Sequence, residues 1–278
     1  MRLGLLLTLV LTALPAFADI LAPNLGVAGS FGLIGGTISN TGTSVVVGNV
    51  GAITTITGFP PGTATGTVYP APSDPTATAA YNAFILAFNS ALNDSTTPPT
   101  QTVAGLTADY TFLGNNVYRF SESDVTSTTG VNLAFDAQGN PNDIFILKVA
   151  NDLTINGPLN FSLLNGALAT NIYWIIGRAE TISSSGGPVT FDGNILAGTS
   201  FTMAANPDGS DVLAGTINGC VFAETANTLA GQTQINGCAA SGDTIDSGSP
   251  TTVPEPASFL LMACGIALAL ACRSRRHA

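Results

Sequence analysis

The sequence predicts a mainly β fold, a solenoid of short strands carrying one helix. Three observations point to it. Runs of Val, Ile, Leu, Phe and Thr alternate with Gly and Asn punctuation, as in Thr43 to Val47, Ala52 to Thr57, Val131 to Phe135, Asp143 to Val149, Asp152 to Ile155 and Asn171 to Ile176. Alternation at period two between turn residues marks many short strands. The string Ile-Asn-Gly-Cys occurs at Ile217 to Cys220 and again at Ile235 to Cys238, 18 positions on. A period near twenty is about one coil of a β-helix. Only one segment breaks the β pattern.

That segment is a helix over residues 75–93. Ser73-Asp74-Pro75 supplies a cap followed by proline in the first turn. Ala80, Phe84, Ala87, Phe88 and Ala91 then recur at three- and four-residue steps, an apolar stripe on one face. Asn93-Asp94 and Pro98-Pro99 end it. A single amphipathic helix on a β body most simply lies along one solenoid side and covers it.

The ends of the chain carry addresses. Residues 1–18 combine Arg2, an apolar run from Leu5 to Leu14 and Ala16-Phe17-Ala18, the pattern of a secretory signal peptide. A polar linker at 241–252 leads into Val253-Pro254-Glu255-Pro256, an apolar stretch from Ala257 to Ala271 and the arginines of 273–276. The apolar stretch is short for a span, which takes roughly twenty residues. The basic end would stay cytoplasmic, leaving everything upstream outside. Membrane contact is expected only through this tail at 253–276. The working body is residues 19–240, one domain's worth of chain.

Composition excludes several functions. With 7 basic and 17 acidic residues, a net charge of −10 and a pI near 4.1, the chain is no nucleic-acid binder. Its one histidine is His277, so a Ser-His-Asp triad, a Cys-His dyad or a histidine-based zinc site is ruled out for the body. The carboxylates are scattered at turns, Asp136 and Asp208 among them, and the Asn206 to Asp211 stretch matches no calcium-loop spacing. We expect no enzyme, no cofactor and no metal. Trp174, flanked by apolar residues, reads as core, and Phe59-Pro60-Pro61-Gly62 as a rigid turn.

What remains is threonine, 35 residues of it. Strand alternation turns Ile56 inward and Thr55 and Thr57 outward; around Ile182 it turns out Thr181 and Ser183. The same reading gives Ser200 and Thr202, then Ala226 and Thr228 with Asn227 inward. Such an array of methyls and hydroxyls would repeat at about 6.6 Å along a strand and about 4.8 Å across coils. It could hold water in a lattice, although threonine is also simply a good strand residue. Glu180 and Glu224 lie beside it, and an outward charge there would interrupt the uncharged array. If the two Ile-Asn-Gly-Cys strings stack, Cys220 and Cys238 fall within disulfide reach, two buried free thiols being the alternative.

Several strings resemble the microbial ice-binding β-solenoid family. They are Leu25-Gly26 with Phe31, Asn40-Thr41-Gly42, Gly48 to Gly51, Ile56 to Gly62, Leu133 to Phe145, Asn165 to Ala167, Asn171 to Trp174 and Gly193 to Ala197, in the family's order. The resemblance implies a discontinuous right-handed β-helix of triangular cross-section with a long helix alongside. It also implies adsorption to an ice crystal surface through one flat side. Val253 to Ser258, together with the apolar stretch and the basic end of the tail, resemble the bacterial PEP-CTERM sorting signal, carried by Pro254, Glu255 and Pro256. That resemblance implies an exosortase-type processing enzyme and export to the cell surface or an exopolysaccharide matrix. The alternative function is a structural or adhesive matrix solenoid without ice affinity.

Overall fold

Period-two alternation and frequent glycine turns give short strands that can bury one face only by stacking on the next coil. The computed structural model describes residues 20–72, 74–93, 101–204 and 213–238, all within the unit Met1–Asp243. The expected leader at 1–18, the Asn206 to Asp211 stretch, the linker at 241–252 and the tail with Pro254, Glu255 and Pro256 lie outside the described residues. In chain order the first strands are β1 (Phe31–Asn40), β2 (Val45–Val46), β3 (Asn49–Thr57) and β4 (Thr63–Ala64). Helix α1 (Pro75–Asn93) comes next, then β5 (Gln101–Val103), β6 (Tyr110–Leu113), β7 (Asn116–Phe120), β8 (Val125–Thr126) and β9 (Asn132–Asp136). After these come β10 (Phe145–Val149), β11 (Leu153–Asn156), β12 (Asn160–Leu164), β13 (Ile172–Ile176), β14 (Glu180–Ser183) and β15 (Val189–Asp192). The last are β16 (Asn194–Ala197), β17 (Ser200–Ala204), β18 (Leu213–Asn218), β19 (Val221–Leu229) and β20 (Gln232–Ile235).

These strands form a three-sided parallel solenoid. One side is β5-β7-β10-β13-β16-β19, the second is β8-β11-β14-β17-β19, and β1 and β3 stack on β19 to extend both. The third side is in two pieces, β6-β9-β12 and β15-β18-β20-β2-β4. Each long strand turns the corner between the first two sides at a bulge. Between β1 and β19 the register shifts from Gly35–Ala223 to Thr37–Ala226. Gly36 sits in that bulge, where a Cβ would come within 2.6 Å of the Thr225 carbonyl oxygen, so only glycine fits.

The stacking order is not the chain order. The first coils, β1 and β3, pack beyond β19, the latest strand of the first two sides, while the stack begins at the opposite end with β5. Helix α1 connects the two ends. Its 19 residues make a rod about 28 Å long, against about 34 Å for eight stacked strands. The Asp74 carboxylate caps it, accepting from the Thr76 and Ala77 amides at 2.8 and 3.1 Å. Its buried face, Ala77, Ala80, Phe84, Ala87 and Phe88, closes the first side. There it meets Phe31, Ile34, Ile146, Ile175, Leu196 and Phe222, and the Phe84 and Phe222 rings lie 5.6 Å apart.

The inside of the solenoid is a second, larger core. Trp174 is fully buried there, and its indole nitrogen donates to the Asp192 carbonyl oxygen at 3.1 Å. A disulfide joins Cys220, ahead of β19, to Cys238, just after β20, with Cα atoms 4.5 Å apart.

Glu180 departs from the expectation that it lies beside an outer face. Thr181 points outward, so strand alternation drives Glu180 into the interior, between Leu153 and Phe201 of the adjacent coils. It is completely buried and, among the described residues, neither carboxyl oxygen has a partner. Burial pushes its pKa well above the ordinary carboxylate value. The folded state therefore holds a proton that the unfolded state releases above about pH 4.3. Stability is unaffected below that pH and falls as pH rises through the window between the unfolded and folded pKa values. Glu180→Gln should remove this slope: the melting-temperature difference between variant and parent should widen in the variant's favour from about pH 4 upward. Parallel pH profiles for the two proteins would contradict it.

Candidate functional site

The second side of the solenoid presents its outward residues in register. Thr126, Thr154, Thr181, Thr202, Thr228, Ser39 and Thr57 are successive partners on β8, β11, β14, β17, β19, β1 and β3. They form one column, every member a hydroxyl residue. A second column, Ser200, Ala226, Thr37 and Thr55, runs beside it on β17, β19, β1 and β3. A third, shorter one holds Asn156, Ser183 and Ala204. Steps are about 4.8 Å between coils and about 6.6 Å between columns.

The inward rows under these columns hold them rigid. Ile155, Ile182, Met203 and Leu229 stack directly beneath, all fully buried. The alternate row is Leu153, Glu180, Phe201, Asn227, Ile38 and Ile56. Asn227 spans the bulge from inside, donating to the Ile34 carbonyl oxygen at 2.7 Å. Thr37 and Thr57 donate long hydrogen bonds to the Thr225 and Ile38 carbonyls, 3.4 Å each. Among the described residues the hydroxyls of Thr154, Thr181, Thr202 and Thr228 have no protein partner, so their hydrogen-bonding capacity faces solvent.

Charge stays at the rim. Glu224 is exposed within the bulge, where its backbone carbonyl accepts from the Tyr81 hydroxyl of α1 at 2.9 Å. Burial, then the Glu224 charge, raises the Tyr81 pKa. At the opposite end of the stack Asp152 pairs with Arg178 at 3.7 Å and accepts from the Ala179 amide. The uncharged patch is therefore widest toward β17, β19, β1 and β3.

All eight residues read from the sequence, Thr55, Thr57, Thr181, Ser183, Ser200, Thr202, Ala226 and Thr228, lie on this side. Thr55 and Thr57 are exposed and the other six half-buried. Sequence reasoning missed Thr37, Ser39, Thr126 and Thr154. Thr37-Ile38-Ser39 and Thr154-Ile155-Asn156 carry the same outward-inward-outward pattern as Thr181-Ile182-Ser183, and that pattern was the available signal.

The other two sides differ. The first is covered by α1. On the third, outward partners are Thr190, Thr216, Gln234, Val45 and Thr63, an uneven set. Among the described residues no three carboxylate, Cys or His groups converge to hold a metal.

Comparison with known proteins bears on this arrangement. Residues 33–237 match the model of the ice-binding-like family, and 252–276 match the PEP-CTERM protein-sorting motif. An ice-binding protein of Nostoc sp. (strain HG1) is 35% identical over 182 residues, covering 64% of this chain and 63% of that protein. One from Flavobacterium frigoris (strain PS1) is 34% identical over 37% of this chain and 34% of its own. The chain thus spans less than two thirds of the length of these relatives. Among solved structures, an ice-binding protein from the Antarctic ascomycete Antarctomyces psychrotrophicus superposes with a TM-score of 0.65 at 30% identity, over 77% of this chain and 97% of that one. Another, from an Antarctic biological consortium, gives 0.65 at 28% identity over 80% and 95%. A parallel solenoid whose first coils close its far end, with one helix alongside and a family match across nearly all the described coils, belongs to the ice-binding-like family.

Proposed function

We propose that the protein adsorbs to ice through its second side, with Thr181, Thr202, Thr228, Ser39 and Thr57 as the central column. One observation carries the reading: seven consecutive coils place a hydroxyl residue at the same position, and on four of them the next inward residue, Ile155, Ile182, Met203 or Leu229, is fully buried. Methyls and unpartnered hydroxyls at fixed steps can order a layer of water that merges with the crystal. Each contact is weak, but a rigid face has little freedom left to lose on adsorption. The relatives named for ice binding, and the covered or uneven character of the other two sides, support the same assignment. Thr55, Thr57, Thr181, Ser183, Ser200, Thr202, Ala226 and Thr228 act here, joined by Thr37, Ser39, Thr126 and Thr154.

The role is non-enzymatic and extracellular. The sorting motif supports export and surface sorting, with the 1–18 leader starting the route and an exosortase-type enzyme acting at Pro254, Glu255 and Pro256. Membrane contact is made through the tail, and the exported body resides at the cell surface or in an exopolysaccharide matrix. The test is ice recrystallisation and thermal hysteresis of the purified protein at about micromolar concentration, where each protein-ice contact must be long-lived to register. Faceted crystals and suppressed recrystallisation are expected. Disc-shaped growth from a well-folded sample would overturn the proposal.

A further inference from the structure

The third side carries a feature that the ice reading does not use. Asn218 donates its amide to the Asp192 carboxylate at 2.7 Å, Asn236 donates to the Asn218 carbonyl at 2.7 Å, and Gln234 donates to Asn236 at 2.8 Å. This one-way ladder consumes one N–H and one oxygen lone pair of each asparagine. A second N–H and further acceptor capacity remain on both. The same two asparagines line a cavity of about 290 Å³ together with Leu163, Leu168, Ala169, Thr170 and Gly237. Of these, Leu163 and Leu168 are 40% and 44% exposed, large apolar side chains left uncovered.

We infer that this cavity binds a neutral polyhydroxylated ligand, a short stretch of glycan. Side-chain amides offer donor and acceptor side by side, which suits adjacent hydroxyls. The leucines suit the C–H face of a sugar ring. The lining disfavours other classes: among the described residues it holds no cation for an anionic ligand, and the Asp192 carboxylate that Asn218 touches is already engaged by it. A purely apolar ligand would leave the asparagines' remaining capacity unpaired, a cost that a polyol avoids. The volume is near the lower limit of small-molecule sites, about 300 Å³, room for a few sugar units at most. The site lies on a different side from the threonine columns, so glycan binding and ice adsorption are separable.

The test uses the purified protein, ¹⁵N-labelled, titrated to about 10 mM, enough to register millimolar affinity, with maltohexaose, cellohexaose and mannohexaose. At least one should shift the side-chain amide signals of Asn218 and Asn236 saturably. Asn236→Ala and Leu168→Ala, both at partly exposed positions, should each weaken that binding about tenfold, a change of about 1.4 kcal/mol. Thr202→Tyr should leave it unchanged. No saturable shift of either amide with any of the three glycans would overturn the inference, as would binding that survives both cavity variants.

Discussion

Thr202→Tyr should abolish ice activity while leaving the protein folded. Thr202 occupies the middle of the seven-residue column, between Thr181 and Thr228, with Ser200 beside it on the same strand. A phenol ring there would stand several ångströms proud of the neighbouring methyls. It would hold both columns off a flat crystal surface, so the loss spreads well beyond one contact. The residue is half-buried and its hydroxyl has no partner among the described residues. The fold should therefore change by no more than about 0.5 kcal/mol, as at ordinary surface positions. Thermal hysteresis should fall to near zero. Thr181→Tyr should behave alike, and Thr190→Tyr on the third side should not. Full activity in both column variants would mean that a different side meets ice.

Removing the disulfide should cost roughly 2–4 kcal/mol of stability. Cys220 and Cys238 are 18 residues apart, and closing a loop of about that size restricts the unfolded chain by about 3 kcal/mol. The location adds to this. Cys220 is fully buried between the first side and α1, whereas Cys238 ends the described body. The bond fastens β20 to the start of β19, at the seam where the last coil meets the first. The strand pairs β19–β1 and β20–β2 cross that seam, and so does the Thr228–Ser39 step of the threonine column. The double substitution Cys220→Ala with Cys238→Ala should lower the urea midpoint. Reductant should lower that of the parent but not that of the variant. Equal midpoints for parent and variant would mean that β-pairing alone secures the seam.

Much of this architecture was legible because it rests on local rules. Helix α1 was readable from Asp74, Pro75 and the alanine-phenylalanine stripe, and it covers residues 75–93 as read. The outward set on β14, β17 and β19 came from period-two alternation, including the inward turn of Asn227. What escaped was register between coils. Ser39 joins the column only because the first coil stacks on the last, a pairing across 189 positions of chain that no periodicity announces. Thr126 lies in a two-residue strand, too short to read as one. Glu180 was read as lying beside the face, whereas alternation with Thr181 sends it inward, where burial raises its pKa. Where residue chemistry and strand parity disagreed, parity prevailed, because one flipped residue would break the ladder on both sides.

The central claim is that the second side of the solenoid meets ice, and direct adsorption tests it. A polycrystalline ice hemisphere would be grown slowly in fluorescently labelled protein, and in labelled Thr202→Tyr beside it. The account predicts that the parent protein is taken up into the ice and gives a bright hemisphere, while the variant is left in the liquid. A dark hemisphere with the folded parent, or equal brightness for the two, would contradict it.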